Sequence, residues 1–255
     1  MEFHRFSTKI SSLVCGLAAS QCKSSTARLF HHLVKFNTKE KEMSIYVVGS
    51  KSKKFLPLDG FHKKFIVDEK HEGDNIDYLN PWYCELTGLY YLWKHDEDDI
   101  VGLEHYRRYL TVDGWHPIKR TEAENYLKKY DVLCVKVGYP YTGIKDYLIK
   151  NRKAEATNSY IALLASMYGR GYADHCIRYL NGHEHVLGNM FVAKRETANK
   201  YCEFLFKSMY TWFRLQQKMG IPVEGRICGY ISEFLFGAWL EANGKKVKTI
   251  HLRMT

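Results

Sequence analysis

The stretch Asp98-Asp99-Ile100-Val101-Gly102-Leu103-Glu104-His105-Tyr106-Arg107-Arg108-Tyr109 decides how this chain folds. Ile100-Val101-Gly102-Leu103 is a short apolar run, partly β-branched, that follows an acidic turn, and it reads as a strand. That strand delivers Glu104-His105-Tyr106-Arg107-Arg108 at its C-terminal end. In open α/β sheets ligands bind at that end of the strands.

Working outward, Ile45–Val48 reads as a first, central strand that ends at Gly49-Ser50-Lys51, and Phe65-Ile66-Val67 as a second. Pro81 opens a helical pattern with Glu85 near its positive end and Leu86, Leu89, Tyr90 and Trp93 at helical spacing. Acidic Asp96–Asp99 suits a loop after it. Further on come a helix over Glu122–Tyr130, a strand over Val132–Val137 and a largely helical stretch over residues 141–180. Val186–Ala193 reads as extended, Thr197–Lys218 and Gly229–Leu240 as helices, and Val247–Leu252 as a closing strand. Strands alternating with helices predict an α/β fold with a mainly parallel sheet, and the late extended segments make the sheet mixed.

The chain has 255 residues, 45% hydrophobic and 15% aromatic, enough for one buried α/β core. Its formal charge of +10 favours phosphate-bearing ligands, whether nucleic acid, anionic membrane or a diphosphate. Residues 1–42 hold seven Lys and Arg against three Glu, and the rest of the surplus is scattered. This segment is expected to be a basic, poorly ordered extension or a misassigned start. A signal-peptide core, a transit peptide or an amphipathic membrane-touching segment are the alternatives. The domain proper is then 43–255. The seven Cys form no CxxC pair and read as reduced thiols of a cytosolic protein. No apolar run reaches the roughly 18–20 residues of a membrane span.

The block Gly73-Asp74-Asn75-Ile76, Asn80, Cys84-Glu85-Leu86-Thr87-Gly88, Trp93-Lys94 and Gly102 to Tyr109 resembles the signature of a bacterial family once catalogued as a domain of unknown function. That family is now grouped with glycosyltransferases of capsular, exopolysaccharide and lipopolysaccharide biosynthesis. Gly188-Asn189-Met190-Phe191-Val192, Tyr201 to Phe206 and Arg226, Gly229-Tyr230, Glu233 resemble its later elements. At the first strand end the family usually carries His-Lys, where this chain has Ser50-Lys51. The resemblance implies a GT-A-like, Rossmann-type fold. It also implies a nucleoside diphosphate sugar donor, UDP-linked hexose above all, and a glycan or lipid-linked acceptor. A cytoplasmic enzyme peripheral to the inner membrane face fits such an acceptor, and its basic charge would favour that face.

The chemistry then assigns residues. Base, ribose and sugar are expected to meet Tyr46, Val47, Ser50, Lys51, Asp74, Asn75, Asn80, Lys94, Tyr106 and Asn189. Asn189 serves either a sugar hydroxyl or a strand break beside Gly188. The leaving diphosphate needs a cation. GT-A enzymes usually place an Asp-x-Asp at the strand end, and it is missing here; Glu104 and His105 are the candidate ligands for Mn²⁺ or Mg²⁺, with His251 as a further ligand by resemblance to some GT-A relatives. Arg107 and Arg108 offer guanidinium neutralisation instead, and on an extended segment only one of the two would face the ligand. Glu233, in an otherwise apolar helix, is the candidate base of an inverting reaction. Otherwise it orients the acceptor or pairs with Arg226. His183-Glu184-His185 reads as a surface loop or a metal cluster. A basic nucleic-acid-binding protein and a non-catalytic glycosyltransferase-like module are the competing classes. No RNP, KH, helix-turn-helix or zinc-finger pattern supports the first, so no nucleic-acid partner is expected. The preserved polar block opposes the second.

Overall fold

The computed structural model describes residues 42–138, 141 and 143–255. The reading of residues 1–42 as an extension lies outside them, Glu42 excepted.

β1 (Met43–Gly49) runs parallel to β2 (His62–Ile66) on one side and to β3 (Ile100–His105) on the other. Beyond β3 lie β8 (Phe191–Lys194), β5 (Val132–Cys134) and β9 (Val247–Thr249). β8 is antiparallel to both its neighbours, and β5 and β9 are parallel. The spatial order of these six is therefore β2-β1-β3-β8-β5-β9, with β8 the reversed strand among them. This is the mixed, mainly parallel sheet that the alternating pattern predicts.

Both faces of β1 are covered. Met43 and Ile45 join one apolar cluster with Leu110, Ala123 and Leu127, while Tyr46 and Val48 face another built on Leu86, Leu89 and Phe191. The two-residue period of a strand sends alternate side chains to these layers, so a central strand has no polar face. α3 (Arg120–Leu127) covers the first face. α2 (Leu86–His95), α7 (Arg195–Lys218) and α8 (Ile227–Ala242) cover the second, joined there by α5 (Ala154–Tyr168) and α6 (Arg170–Leu180). Gly102 sits where β8 presses on β3: a Cβ there would lie 2.7 Å from the Phe191 carbonyl oxygen.

Several elements differ from expectation. The helix expected from Pro81 is two pieces, α1 (Asn80–Tyr83) and α2, parted by Cys84 at φ 50°. The strand over Val132–Val137 divides into β5 and β6 (Lys136–Gly138), and β6 pairs with β7 (Glu184–Val186) in a separate ribbon. The stretch 141–180 contains α4 (Ile144–Lys150), α5 and α6. Val247–Leu252 splits into β9 and β10 (His251–Met254), and β10 pairs with β4 (Arg108–Thr111) instead of continuing along β5. Asp96, which caps the end of α2, is held by Arg195 at 2.7 Å and Lys63 at 3.2 Å, so the acidic run is a neutralised loop. Among the described residues no helix is long and apolar enough to cross a membrane.

Candidate functional site

A cleft of about 740 Å³ opens at the C-terminal ends of β1 and β3. Its walls come from the end of β1 and the loop after it (Val48 to Ser50, Lys53), from α1 and the break behind it (Asn80, Cys84, Glu85), from the β3–β4 turn (His105 to Arg108), and from α8 with the residue before it (Arg226, Gly229, Tyr230, Glu233). Of the residues expected to bind or react, Ser50, Asn80, His105, Tyr106, Arg107, Arg108 and Glu233 meet here.

The arginines both line the cleft, against the expectation that only one would. β3 ends at His105 and pairs with Arg108 directly, so Tyr106-Arg107 form a tight reversal. The alternation of an extended strand stops there. Tyr106 carries cations on its ring, Arg107 at 5.6 Å and Lys53 at 5.7 Å from its centroid. Arg226, at φ 65° just before α8, faces the Tyr230 ring at 5.4 Å and the Cys84 thiol. The cleft thus gathers four cations, Lys53, Arg107, Arg108 and Arg226.

Two carboxyls stand among them. Glu233 Oε1 accepts a hydrogen bond from the Gly188 amide at 2.9 Å, and His185 Nε2 lies 3.8 Å from the same oxygen. Arg226 makes no ion pair with Glu233 among the described residues, which removes the pairing expected for them. Glu85 Oε1 accepts from Asn189 Nδ2 at 2.8 Å. Burial, reinforced by the charge of Glu233 and opposed by the Asn189 bond, pushes the Glu85 carboxyl up to about 7. His105 is pushed down to about 4 by burial first and by Arg108 next, so its imidazole is neutral at pH 7. Its Nε2 is buried without a hydrogen-bond partner.

Asn189 lies beneath the cleft floor, fully buried at φ 55°. Its amide nitrogen also donates to Ser232 at 2.9 Å and to the Gly229 carbonyl at 3.2 Å. It reaches no open space, so of its two expected roles it fills the strand break: with Gly188, also at positive φ, it turns the chain into β8.

The remaining expected residues lie elsewhere. Tyr46 points into the second apolar layer and stacks on Phe65, and Val47 is fully buried. Both precede the strand end that forms the wall. Lys51 donates its backbone amide to Asp68 and sits 3.7 Å from Glu69 at the surface. Asp74 accepts from Tyr90 and faces Lys94, whose ammonium lies 3.9 Å over Trp93. Asn75 spends its amide on the carbonyls of His71 and Gly73. That block is a self-bonded loop against α2.

The candidate metal ligands do not fit a metal. Glu104 and His105 are consecutive on β3 and face opposite ways. Glu104 is fully buried, accepts from the Leu110 amide at 2.8 Å and faces His62 at 3.6 Å. His251 is exposed on β10, opposite Thr111. His185 is buried and stacks on Phe234, whereas His183 and Glu184 are exposed. Among the described residues no three His, Cys, Asp or Glu side chains converge as a metal ion needs.

Reading the sequence alone gave no binding role to Glu85 or Lys53, and it considered Arg226 only as a partner for Glu233. Glu85 carried a signal, an acid between Cys84 and the apolar start of α2, but helix-dipole logic accounted for it equally well.

The solved structure of a WbbM bifunctional glycosyltransferase, in its apo form, superposes on this chain with a TM-score of 0.67 at 23% sequence identity. The match covers 84% of this chain and 45% of that one, so the chain spans less than half the length of its neighbour. At that identity the likeness establishes the fold, an α/β arrangement of the GT-A kind. No curated protein matches the chain. The model of the family described as a domain of unknown function, DUF4422, matches residues 27–244, and the chain belongs to that family.

Proposed function

We propose that the protein is a glycosyltransferase that moves a hexosyl unit from a nucleoside diphosphate sugar, UDP-linked, to a glycan or lipid-linked glycan acceptor in surface polysaccharide biosynthesis. The observation that carries this reading is the cleft at the ends of β1 and β3, where the arginines of one turn stand beside the carboxyls of Glu85 and Glu233. Its fold likeness to a bifunctional glycosyltransferase supports the reading.

The chemistry follows from charge. As the bond between the anomeric carbon and the diphosphate breaks, its electron pair moves onto the leaving oxygen. Arg107 and Arg108 neutralise that charge, with Lys53 beside them. Ser50, Asn80 and Tyr106 line the path of the nucleotide. In an inverting reaction Glu233 takes the proton of the acceptor hydroxyl as its oxygen bonds to the anomeric carbon. The Gly188 amide fixes that carboxylate in place. In a retaining reaction the same residue orients the acceptor. Glu104, His105 and His251 do not converge, so the guanidinium and ammonium groups are the cations that the chain itself offers to the diphosphate. A lipid-linked acceptor would bring the enzyme to the inner membrane face, where its charge of +10 favours anionic lipid.

Thermal-shift measurements with nucleoside diphosphates and sugar nucleotides, with and without Mn²⁺, test the reading. A ligand at a hundredfold excess over its Kd stabilises the fold by about 2.7 kcal/mol. For a domain of this size that raises Tm by roughly 5–10 °C. A flat response to every nucleotide would refute the proposal.

A further inference from the structure

We propose that Glu85 is a second substrate-binding carboxyl of the cleft, holding a hydroxyl of the transferred sugar beside Glu233. The proposal rests on the glycosyltransferase reading and adds to it a residue that determines sugar recognition.

A single turn of backbone holds both acids. The Gly188 amide donates to Glu233 and the next residue, Asn189, donates its side-chain amide to Glu85. α8 is shaped around the second of them. A Cβ at Gly229 would lie 3.3 and 3.4 Å from the two carboxyl oxygens of Glu85, so the absent side chain leaves room for that group. Glu85 lines the cleft, and its bonded partner is a neutral amide. Arg226, the guanidinium on that wall, is engaged by Cys84 and Tyr230, and it acts on Glu85 only as a nearby charge that eases its ionisation, without an ion pair among the described residues.

A purely structural role suits this carboxyl poorly. Accepting from Asn189 and from its own backbone amide is work that a glutamine side-chain oxygen does without the cost of desolvating a charge. That cost is visible in the lift of Glu85 towards neutrality. What an ionised carboxyl offers beyond an amide is acceptance by both oxygens, so that Oε1 holds Asn189 while Oε2 accepts from a hydroxyl, where an amide would present an NH₂ donor. Sugar hydroxyls are donors of that kind.

Position agrees. The Gly188-Asn189 turn packs against His105, since a Cβ at Gly188 would stand 3.3 Å from the His105 ring. His105 is the residue before the Tyr106-Arg107 reversal. A diphosphate on Arg107 and Arg108 therefore places the group attached to it against the carboxyls held by this turn.

The test is calorimetric binding of UDP and of UDP-linked hexoses to the wild type, Glu85→Gln and Glu85→Ala. The glutamine variant retains the Asn189 bond and is expected to fold with unchanged UDP affinity. It should lose about tenfold or more of its affinity for the sugar nucleotide, the scale of one hydrogen bond to a charged group. The alanine variant should show the same split. Should neither fold, Gly229→Ala, which crowds the carboxyl, takes their place with the same expected split. Equal sugar-nucleotide affinity in wild type and variant, with UDP bound by both, overturns the assignment and leaves the glycosyltransferase reading standing. Equal losses for UDP and the sugar nucleotide also overturn it, as a structural effect. Failure of the wild type to bind any nucleotide overturns both readings.

Discussion

Replacing Glu104 by glutamine should stabilise the protein at alkaline pH and leave it unchanged in acid. The carboxyl is fully buried between β3 and β4, and burial raises it from 4.5 to about 8. Its Oε1 accepts from the Leu110 amide, while Oε2 faces His62 Nε2 at 3.6 Å, and neither of those two atoms has another partner. His62 directs Nδ1 to Asp59 at 2.8 Å, and burial lowers its own pKa, so its Nε2 is an acceptor. A protonated Glu104 supplies the proton that this geometry lacks. The folded state then binds one more proton than the unfolded chain between pH 4.5 and about 8, so stability is present in full below the lower value and falls as pH rises to the upper one. At about 1.4 kcal/mol per unit the fall approaches 5 kcal/mol, an upper figure for a site that relaxes. A glutamine at this position accepts from Leu110 and turns a donor towards His62 Nε2, as the neutral acid does, and it carries no charge to ionise. Urea unfolding of Glu104→Gln and wild type near pH 4 and near pH 9 should therefore give equal stabilities in acid and a gain of roughly 2–5 kcal/mol for the variant in base. The opposing slope from His62 is common to both proteins and cancels in the difference. A variant no more stable than wild type near pH 9 would refute the buried neutral acid.

Arg108→Ala should weaken nucleoside diphosphate binding by about tenfold and Arg107→Ala by a few-fold, since Arg108 is half-buried and Arg107 exposed, where water screens its charge. Calorimetry decides, and negligible losses for both would mark them as surface charge. Asn189→Ala should destabilise the fold by about 2–4 kcal/mol, because it removes the bonds to Glu85 and Ser232 and strains a residue at positive φ. Asn189→Gly removes only the bonds and should cost measurably less in urea unfolding. Equal losses would show that the backbone conformation contributes nothing.

Most of the sheet was legible in the sequence because a strand buried on both faces leaves a local trace. Ile45–Val48 and Ile100–Leu103 are apolar runs with no polar interruption, and they became β1 and β3. What escaped was set by partners distant in sequence. Nothing local to Val247–Leu252 tells that its first half pairs with β5 and its second with β4. The break of the helix at Cys84 was hidden for a related reason. Leu86, Leu89 and Trp93 keep helical spacing across α2 whether or not Pro81 belongs to the same helix.

The site divides along the same line. Arg107, Arg108 and Glu233 were found because their surroundings in the sequence already made them anomalous: charge at a strand end and an acid in an apolar helix. Asp74, Asn75 and Lys94 were anomalous too, as a dense polar block, yet their bonds close on Tyr90, His71 and Gly73 within the same block. Local density of polar residues reports a loop that satisfies itself as readily as a ligand site. Glu85 is the opposite case. Its partner Asn189 stands 104 positions away and Gly229 still further, so nothing beside it in the chain announces that burial beneath other elements lifts its proton affinity. A buried carboxyl whose partners come from other elements stays costly after folding, which a carboxylate satisfied within its own exposed loop does not. By that criterion the block from Gly73 to Lys94 contributes the Glu85 carboxyl to the cleft wall, and its more conspicuous Asp74-Asn75 pair contributes the loop.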